Sequence, residues 1–245
     1  MAFGGRFSDE AIFYRGRASD YSVRYLSNWH LLSQPILFHG KEFSSTEHLY
    51  KWTKAKFFSD EAAALQVLST EHPSQLSALC TYPRTEQFSA LNRKLDQLKR
   101  RIMIVITTIK FGSDESLLQS LLSTGDRSLV EDTSDECWGR GRMGRGQNLH
   151  GECLMEVRRQ YQTDVEQPST LVVGDSLTRN IAIHGATTLC MGGARAGQVC
   201  LLAELFSLVG IFRLIIHVGT KRTMRSHAQR LQWVTNFDLV NHRNR

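Results

Sequence analysis

The sequence contains few prolines and has no long uninterrupted apolar segment. It has four prolines in 245 residues and 41% hydrophobic side chains, so it can bury a core, and disorder is not the expected dominant state. The most apolar segment, 201–218, is interrupted by Glu204 and Arg213 and predicts buried core rather than a membrane span. The N-terminus also lacks the apolar stretch of a secretory signal.

The sequence also lacks paired cysteines and metal-binding patterns. Its cysteines are five in number and scattered, without a CxxC pair, which indicates reduced thiols in an intracellular protein, cytoplasmic or nuclear. The nine histidines show no HExxH or similar ligand spacing. We therefore expect no metal and no cofactor.

Charge is distributed unevenly along the chain. Residues 1–165 carry 21 Lys and Arg against 20 Asp and Glu, whereas residues 166–245 carry 9 against 4. A nearly neutral first part does not suit a protein held to DNA by charge, but an anionic small molecule needs only a few arginines. The length predicts a domain over 1–165, a linker over 162–169 and a smaller unit over 166–245.

Helical signals dominate the first domain. Ser44 as N-cap with Glu47 at N3 predicts a capping box that opens a helix toward Phe58. Apolar spacing over 91–111 predicts a buried helix, although the β-branched run 104–108 favours a strand. Ser113 is the expected cap of a short helix ending at Leu122, and a final helix is expected over 149–161.

The segment 124–146 has a different composition. It is rich in glycine, carboxylates and arginine and contains one tryptophan, Trp138, which predicts a functional loop. In the second part, apolar runs at 171–173, 187–190 and 214–218 with a helical run at 198–208 predict a strand-helix-strand unit with a parallel sheet.

Two groups of residues have the composition of a catalytic site. Helical spacing places Glu47, Tyr50, Lys51 and Lys54 on one stripe about 10 Å long. If this stripe faces inward, burial lowers a lysine pKa enough for nucleophilic attack. The alternative is that Glu47 only caps the helix and the lysines are solvated.

The loop supplies the second group. Carboxylates at Glu131, Asp132, Asp135 and Glu136 lie near Trp138, which suits stacking of a flat base and stabilisation of positive charge at a sugar carbon. Three arginines among the glycines are expected to hold a pyrophosphate: Arg140, Arg142 and Arg145. The alternative is an ordinary solvated acidic turn with a packed tryptophan.

An ordered series of residues resembles the NADAR family. The resemblance runs over about 12–161 and rests on the following residues: Leu26-Ser27-Asn28, the run Gly40 to Tyr50, Lys54-Ala55, Met103, Lys110-Phe111, Thr124-Gly125-Asp126, Leu129-Val130-Glu131, Asp135, the run Trp138 to Gly141, Asn148, Gly151, Leu154-Met155 and Arg158.

This resemblance implies a helix-rich α+β domain that hydrolyses N-glycosidic bonds. Implied substrates are phosphorylated intermediates of riboflavin synthesis and ADP-ribose on guanine bases, including ADP-ribosylated nucleic acid. It implies that Glu47, Asp135 and Trp138 line the pocket and that, in members that remove ADP-ribose, the lysine matching Lys54 forms a Schiff base with the sugar carbon. We expect Lys54, Glu47 and Asp135 to be the catalytic residues, with Glu47 or Asp135 moving the proton needed for departure of the base. The expected substrate-binding residues are Asn28, Tyr50, Lys110, Glu131, Trp138, Gly139, Arg140, Asn148 and Arg158.

Two positions depart from the family pattern. Leu95 stands where the family usually has tryptophan, and His150 stands where leucine is usual. The loss of an aromatic ring at Leu95 favours an alternative function, a non-catalytic module that binds ADP-ribose or a nucleotide. Retention of Glu47 and Lys54 favours the enzyme.

The second part resembles the SGNH (GDSL) hydrolases in two short blocks, residues 172–177 and 216–220. Ser176 takes the position of the nucleophile, but Lys221 and Arg222 replace the Asn-Asp pair, and Asp238 and His242 do not fit the Asp-x-x-His spacing. A serine without an aligned base is a poor nucleophile. We expect a truncated, inactive α/β segment, with esterase activity at Ser176 as the alternative.

Overall fold

The computed structural model describes residues 10–16, 21–83, 85–163, 170–174, 186–190, 195–209 and 213–217. Its contacts divide the chain into two compact units, Met1–Val165 and Glu166–Arg245.

Helices make up most of the first unit. They are α1 Thr46–Phe57, α2 Glu61–Ser69, α3 Glu86–Gly112, α4 Glu115–Leu122 and α5 Leu149–Gln162, with 3-10 helices at Tyr21–Leu26 and Pro73–Ala78. Strand β1 Ile12–Tyr14 pairs in parallel with β4 Leu129–Glu131, and β2 Ile36–Phe38 pairs antiparallel with β3 Lys41–Phe43. The predicted helix-rich α+β class is confirmed.

Helix α1 begins one residue later than its sequence predicts. The N-cap is Ser45, not Ser44, and the Ser45 Oγ accepts a hydrogen bond from the His48 backbone N–H at 3.3 Å. Serine caps well at either position, so the local signal does not choose between them. With Ser45 as cap, Glu47 is at N2, and the predicted capping box does not form around its carboxylate.

Helix α3 is the long buried helix predicted from the apolar spacing over 91–111. It buries Leu95, Leu98, Ile102 and Ile106 along one side, and its β-branched run remains helical because this stripe packs into the core. The following helix, α4, is capped by Asp114 rather than Ser113, because the Asp114 carboxylate accepts from the Leu117 backbone N–H.

The segment predicted as one loop, 124–146, contains strand β4. Its three residues are too few to show a periodic pattern, and Leu129 and Val130 are both fully buried. Pairing with β1 places the strand under α5, where Leu129 packs with Tyr14 and Leu154. The start of the loop is therefore anchored in the core.

The second unit contains a parallel sheet in the order β6-β5-β7, formed by β5 Thr170–Gly174, β6 Ala186–Cys190 and β7 Arg213–His217. Helix α6, Ala196–Ser207, buries Leu202 and Leu205. The pattern agrees with the predicted strand-helix-strand unit. Ser176, Lys221, Arg222, Asp238 and His242 lie outside the described residues, so the SGNH resemblance stays a prediction.

Among the described helices, none is both long enough and apolar enough to cross a membrane.

Candidate active site

A cavity of about 860 Å³ opens in the first unit. Side chains from α1, from the loop after β4 and from the segment after β1 meet around it. Its lining residues are Arg15, Gly16, Ser27, Asn28, Trp29, Glu47, Tyr50, Lys51, Lys54, Ser77, Met103, Glu131, Thr133, Ser134, Asp135 and Trp138.

One side of the cavity is the helix wall, formed by Glu47, Tyr50, Lys51 and Lys54 of α1. The Lys51 Nζ lies 4.0 Å from a Glu47 carboxylate oxygen and donates to the Leu79 carbonyl at 3.0 Å. The predicted polar stripe therefore faces a cavity, and the side chains of Glu47 and Lys51 are each only 13% exposed. A fully solvated face does not describe this stripe.

Burial changes the acid-base properties of the helix wall. It lowers the pKa of Lys54, and the positive charge of Lys51 lowers it further. Burial raises the pKa of Glu47, against the opposing effect of the two lysines. A larger fraction of the Lys54 amine is therefore neutral and nucleophilic than in an exposed lysine.

The other side is the loop wall, formed by Glu131, Asp135 and Trp138. The Asp135 Oδ1 accepts hydrogen bonds from the backbone N–H groups of Cys137 and Trp138 at 2.8 and 2.7 Å, which fixes the turn that presents the indole. Burial raises the pKa of Glu131 to about 8, with further contributions from Glu47 and Asp135. This carboxyl is therefore protonated at neutral pH.

Contacts join the two walls to each other and α1 to another lining residue, Asn28. The ring of Trp138 meets the ring of Tyr50 edge to face, with centroids 5.4 Å apart. The Asn28 Oδ1 accepts a hydrogen bond from the Thr46 hydroxyl at 3.0 Å, and its Nδ2 contacts the Met103 sulfur at 3.4 Å. Asn28 thus connects the start of α1 to α3.

Three residues predicted to bind substrate support the backbone instead of lining the cavity. Lys110 is 2% exposed and donates to the carbonyls of Tyr25 and Ser27, and burial lowers its pKa to about 7. Arg158 donates to the Thr124 hydroxyl at 2.7 Å.

Asn148 is the third of these residues. It adopts the left-handed conformation at φ 53° and bonds both the Glu131 N–H and the Leu129 carbonyl, at 2.9 and 2.8 Å. It therefore holds the backbone of β4 at Glu131, a residue of the loop wall.

The glycine and arginines of the loop also lie outside the cavity lining. Gly139 has no room for a side chain, since a Cβ would collide with the Thr133 hydroxyl. Arg140 pairs with Asp132 and lies over the Phe13 ring. The other arginines predicted to hold a pyrophosphate, Arg142 and Arg145, are exposed and do not line the cavity.

Arg15 is a cavity residue that the sequence analysis did not single out. Its side chain lines the cavity and lies 4.0 Å from an Asp132 carboxylate oxygen. It follows strand β1, whose three residues give no periodic signal, so nothing local marked it. At the two positions that depart from the family pattern, Leu95 and His150 are both buried and outside the lining.

The described parts of the chain contain no group of three His, Cys, Asp or Glu side chains close enough to hold a metal ion. Four cysteines are free thiols: Cys80, Cys137, Cys153 and Cys200. The ionisable groups at the cavity are two amines, one guanidinium and three carboxyl groups, and aromatic rings lie beside them.

Comparison with known proteins gives relatives for the first unit. N-glycosidase YbiA of Escherichia coli K12 is 29% identical over 127 residues, which are 51% of this chain and 75% of that protein. N-glycosidase Npun_R5314 of Nostoc punctiforme is 32% identical over 123 residues, 49% of this chain and 75% of that protein. N-glycosidase R617 of Acanthamoeba polyphaga mimivirus is 25% identical over 171 residues, 63% of this chain and 98% of that protein.

A solved structure is also similar. The NMR structure of Escherichia coli YbiA matches with a TM-score of 0.47 and 24% identity, over 64% of this chain and 90% of that chain.

The family assignment covers most of the chain. The NADAR domain model matches residues 12–162, the segment that contains the cavity. The curated relatives are hydrolases of N-glycosyl compounds, so the prediction of an N-glycosidase is confirmed at the level of enzyme class. The chain belongs to the NADAR domain family.

Proposed function

We propose that this N-glycosidase cleaves the bond between the anomeric carbon of a ribose and a ring nitrogen, in a phosphorylated ribosyl or ADP-ribosyl substrate, through a Schiff base on Lys54. The observation that carries the proposal is the meeting of the Lys54 amine with the carboxyl groups of Glu47, Glu131 and Asp135 at one cavity.

The chemistry assigned to Lys54 needs a neutral amine. Its lowered pKa, which arises from burial and from Lys51, supplies this form. As the glycosidic bond breaks, its electron pair leaves with the base nitrogen, which takes a proton from a carboxyl group. The amine then bonds to the sugar carbon, the ring opens to the imine with loss of a proton, and water hydrolyses the imine to free sugar and free amine.

Proton transfer to and from the sugar is the role proposed for Glu47. Its carboxylate lies on the same helix wall, one turn before Lys51 and two turns before Lys54, so it is close to the amine throughout the reaction. Asp135 faces it from the loop wall, as a second carboxylate for activation of water.

The cavity also suits a nucleotide in size and lining. A volume of about 860 Å³ falls in the range of pockets that enclose small organic ligands, roughly 300–1,000 Å³. The half-buried indole of Trp138 offers a face for a base or sugar ring. Arg15, at the cavity and 58% exposed, is the guanidinium we assign to the phosphate.

The test is product analysis combined with chemical trapping. Purified protein is incubated with a phosphorylated riboflavin-pathway intermediate, with ADP-ribosylated guanosine and with ADP-ribosylated guanine in DNA, and released base is measured. Borohydride is added in parallel to reduce any imine to a stable adduct, which mass spectrometry locates. We expect base release from one substrate class and an adduct on Lys54.

Two variants separate the lysines of α1. Lys54→Ala removes the nucleophile and should abolish both the adduct and base release. Lys56→Ala is the matched control, because Lys56 lies on the same helix but pairs with Glu61 outside the cavity, and it should keep full activity. Full activity in Lys54→Ala contradicts the covalent route and leaves direct attack by water. Tight binding without base release by the wild type indicates the non-catalytic module.

A further inference from the structure

Glu131 of the loop wall belongs to a buried group of three polar side chains, the buried polar trio. It consists of Tyr14 on β1, His150 on α5 and Glu131 at the end of β4. The Tyr14 hydroxyl is 2.9 Å from the His150 Nδ1, and the same nitrogen is 3.8 Å from the Glu131 Oε2. Tyr14 is 1% exposed, and the side chains of His150 and Glu131 are 1% and 16% exposed. Side chains from β1 and α5 thus meet the Glu131 carboxyl on its buried side.

The buried oxygen of Glu131 has no compensation for a negative charge. Its Oε2 is inaccessible to solvent and has no hydrogen-bond partner among the described residues. A carboxylate in such a position loses its hydration without gaining a donor, so the carboxylic acid is favoured. Burial, with the charges of Glu47 and Asp135, raises the pKa of this group to about 8.

His150 does not supply the missing positive charge. Burial, with the nearby charge of Lys110, lowers the His150 pKa to about 3, so its ring is neutral at physiological pH. Its Nδ1 is engaged with the Tyr14 hydroxyl, at 2.9 Å against 3.8 Å for the Glu131 oxygen. The His150 Nδ1 is thus within hydrogen-bond distance of the Tyr14 hydroxyl but not of the Glu131 Oε2.

The other two carboxyl groups at the cavity have different surroundings. Burial raises the pKa of Glu47, but the Lys51 ammonium 4.0 Å away opposes this shift and favours the ionised form. The Asp135 Oδ1 is committed to two backbone N–H groups of its own turn. Glu131 differs from both because its buried Oε2 has no hydrogen-bond partner in the part of the chain that the structure describes.

We propose that Glu131 is the acid that protonates the departing base, and that Tyr14 and His150 are positioning residues that keep its buried oxygen without a hydrogen-bond donor. This assignment rests on the proposed function. Glu131 gives its proton to the base nitrogen as that nitrogen receives the electron pair of the broken bond. The resulting carboxylate is reprotonated by the water that later adds to the sugar carbon.

The Tyr14 hydroxyl has a specific task in this arrangement. In the proposed arrangement it donates to the His150 Nδ1, 2.9 Å away, so that the ring proton is on Nε2 and no N–H points toward Glu131. Without the hydroxyl, the ring proton is free to occupy Nδ1 and to donate to Glu131, which stabilises the carboxylate. The groups that face Glu131 are Glu47 from α1, Asp135 from the loop, His150 from α5 and Tyr14 behind it.

The first measurement follows the protonation state directly. Carbon-13 NMR of the full chain with labelled glutamate carboxyls is recorded over a pH series without substrate. We expect one carboxyl signal that titrates near pH 8. It should be missing in Glu131→Gln and remain in Glu47→Gln, where it should titrate at lower pH because the negative charge of Glu47 is gone.

The second measurement is the pH dependence of kcat/KM for base release. The wild type should lose activity as pH rises through about 8, the pKa of Glu131, because the acid is then ionised. Glu131→Gln should keep only residual activity and lack this alkaline limb. Tyr14→Phe should move the limb to lower pH, by roughly one unit.

A matched tyrosine provides the control. The Tyr25 hydroxyl donates to the Ser120 carbonyl at 2.8 Å, away from the cavity, so Tyr25→Phe should leave the limb in place. A Glu131 carboxyl that titrates below about pH 6, or an alkaline limb unmoved by Tyr14→Phe, overturns the assignment. Base release with full activity in Glu131→Gln also overturns it. A wild type that releases no base, although the carboxyl titrates near pH 8, overturns the proposed function instead.

Discussion

The helix wall follows from the regular spacing of one helix, whereas the loop wall is held in place by contacts with distant parts of the chain. In α1, regular 3.6-residue spacing places Glu47 and Lys54 on one stripe. The position of Glu131 instead depends on the pairing of β4 with β1 and on a hydrogen bond to the side-chain amide of Asn148, 17 residues further along the chain. The arrangement of the helix wall should therefore survive the loss of a single local contact, whereas that of the loop wall should depend on tertiary contacts.

The largest effect should come from Asn148→Ala, which breaks the support of the loop wall. The substitution removes two buried hydrogen bonds, to the Glu131 N–H and the Leu129 carbonyl, and forces alanine into the left-handed region. We expect a loss of about 3 kcal/mol in the free energy of unfolding, measured by urea denaturation.

Asn148→Gly separates the loss of the two hydrogen bonds from the backbone strain. Glycine adopts the left-handed conformation without strain but has no amide, so this variant should lose roughly 2 kcal/mol. Equal stability of the alanine variant and the wild type would contradict the proposed support of the loop wall.

The next prediction concerns how the protonation of Glu131, in the loop wall, makes stability depend on pH. The Glu131 pKa in the folded protein is about 8, above the value of 4.5 for a free side chain. The neutral carboxyl therefore contributes stability that is complete below about pH 4.5 and is lost as pH rises through 8. Relative to Glu131→Gln, the wild type should lose roughly 3 kcal/mol between pH 5 and 8, measured by denaturation at each pH.

Glu136→Gln controls for a change of charge, because Glu136 is an exposed carboxyl of the same loop. Its stability should follow that of the wild type at both pH values. A constant difference between Glu131→Gln and the wild type across this range would show that Glu131 is ionised in the fold.

A third substitution tests the contact between the walls. Trp138→Leu removes the edge-to-face contact with Tyr50 and the proposed stacking surface. We expect KM to rise about tenfold, since stacking of a base on an aromatic ring is worth roughly 1–3 kcal/mol. Trp52→Phe is a comparison within the core, because Trp52 packs against Phe38 and Phe43 outside the cavity lining, and it should affect stability more than KM. An unchanged KM in Trp138→Leu removes the indole from substrate binding.

The smallest effect should come from the helix wall itself. Ser45→Ala removes the N-cap of α1 and should cost about 1 kcal/mol of stability, measured by thermal denaturation. The remaining turns of α1 keep their spacing, so kcat should change less than in Asn148→Ala. Ser44→Ala is the control, since Ser44 is exposed and precedes the cap. A larger loss of stability in Ser44→Ala than in Ser45→Ala would show that Ser44, the residue predicted from the sequence, is the N-cap.

Much of the first unit was predictable from local patterns. The apolar spacing predicted α3, and the polar stripe on α1 predicted side chains that the structure places at a cavity. Local patterns did not find β4, because three residues carry no period, and they did not find Arg15, which follows an equally short strand.

The roles of single residues were harder to predict. Matching Lys110, Asn148 and Arg158 to a family pattern shows which residue types are present, but not which atoms they contact. All three satisfy backbone carbonyl or N–H groups in the fold. A buried polar side chain needs such partners, and only the tertiary structure shows whether the partner is the backbone or a ligand.

The local amino-acid pattern specified the helix wall, because α-helical spacing places Glu47 and Lys54 on one stripe whatever lies opposite. The tertiary structure decided the loop wall and the protonation of Glu131. The Glu131 pKa depends on burial and on the charges of Glu47 and Asp135, and the Glu131 backbone is held by Asn148. Electrostatic energies follow distance and solvent exposure, which are properties of the folded chain rather than of residue order.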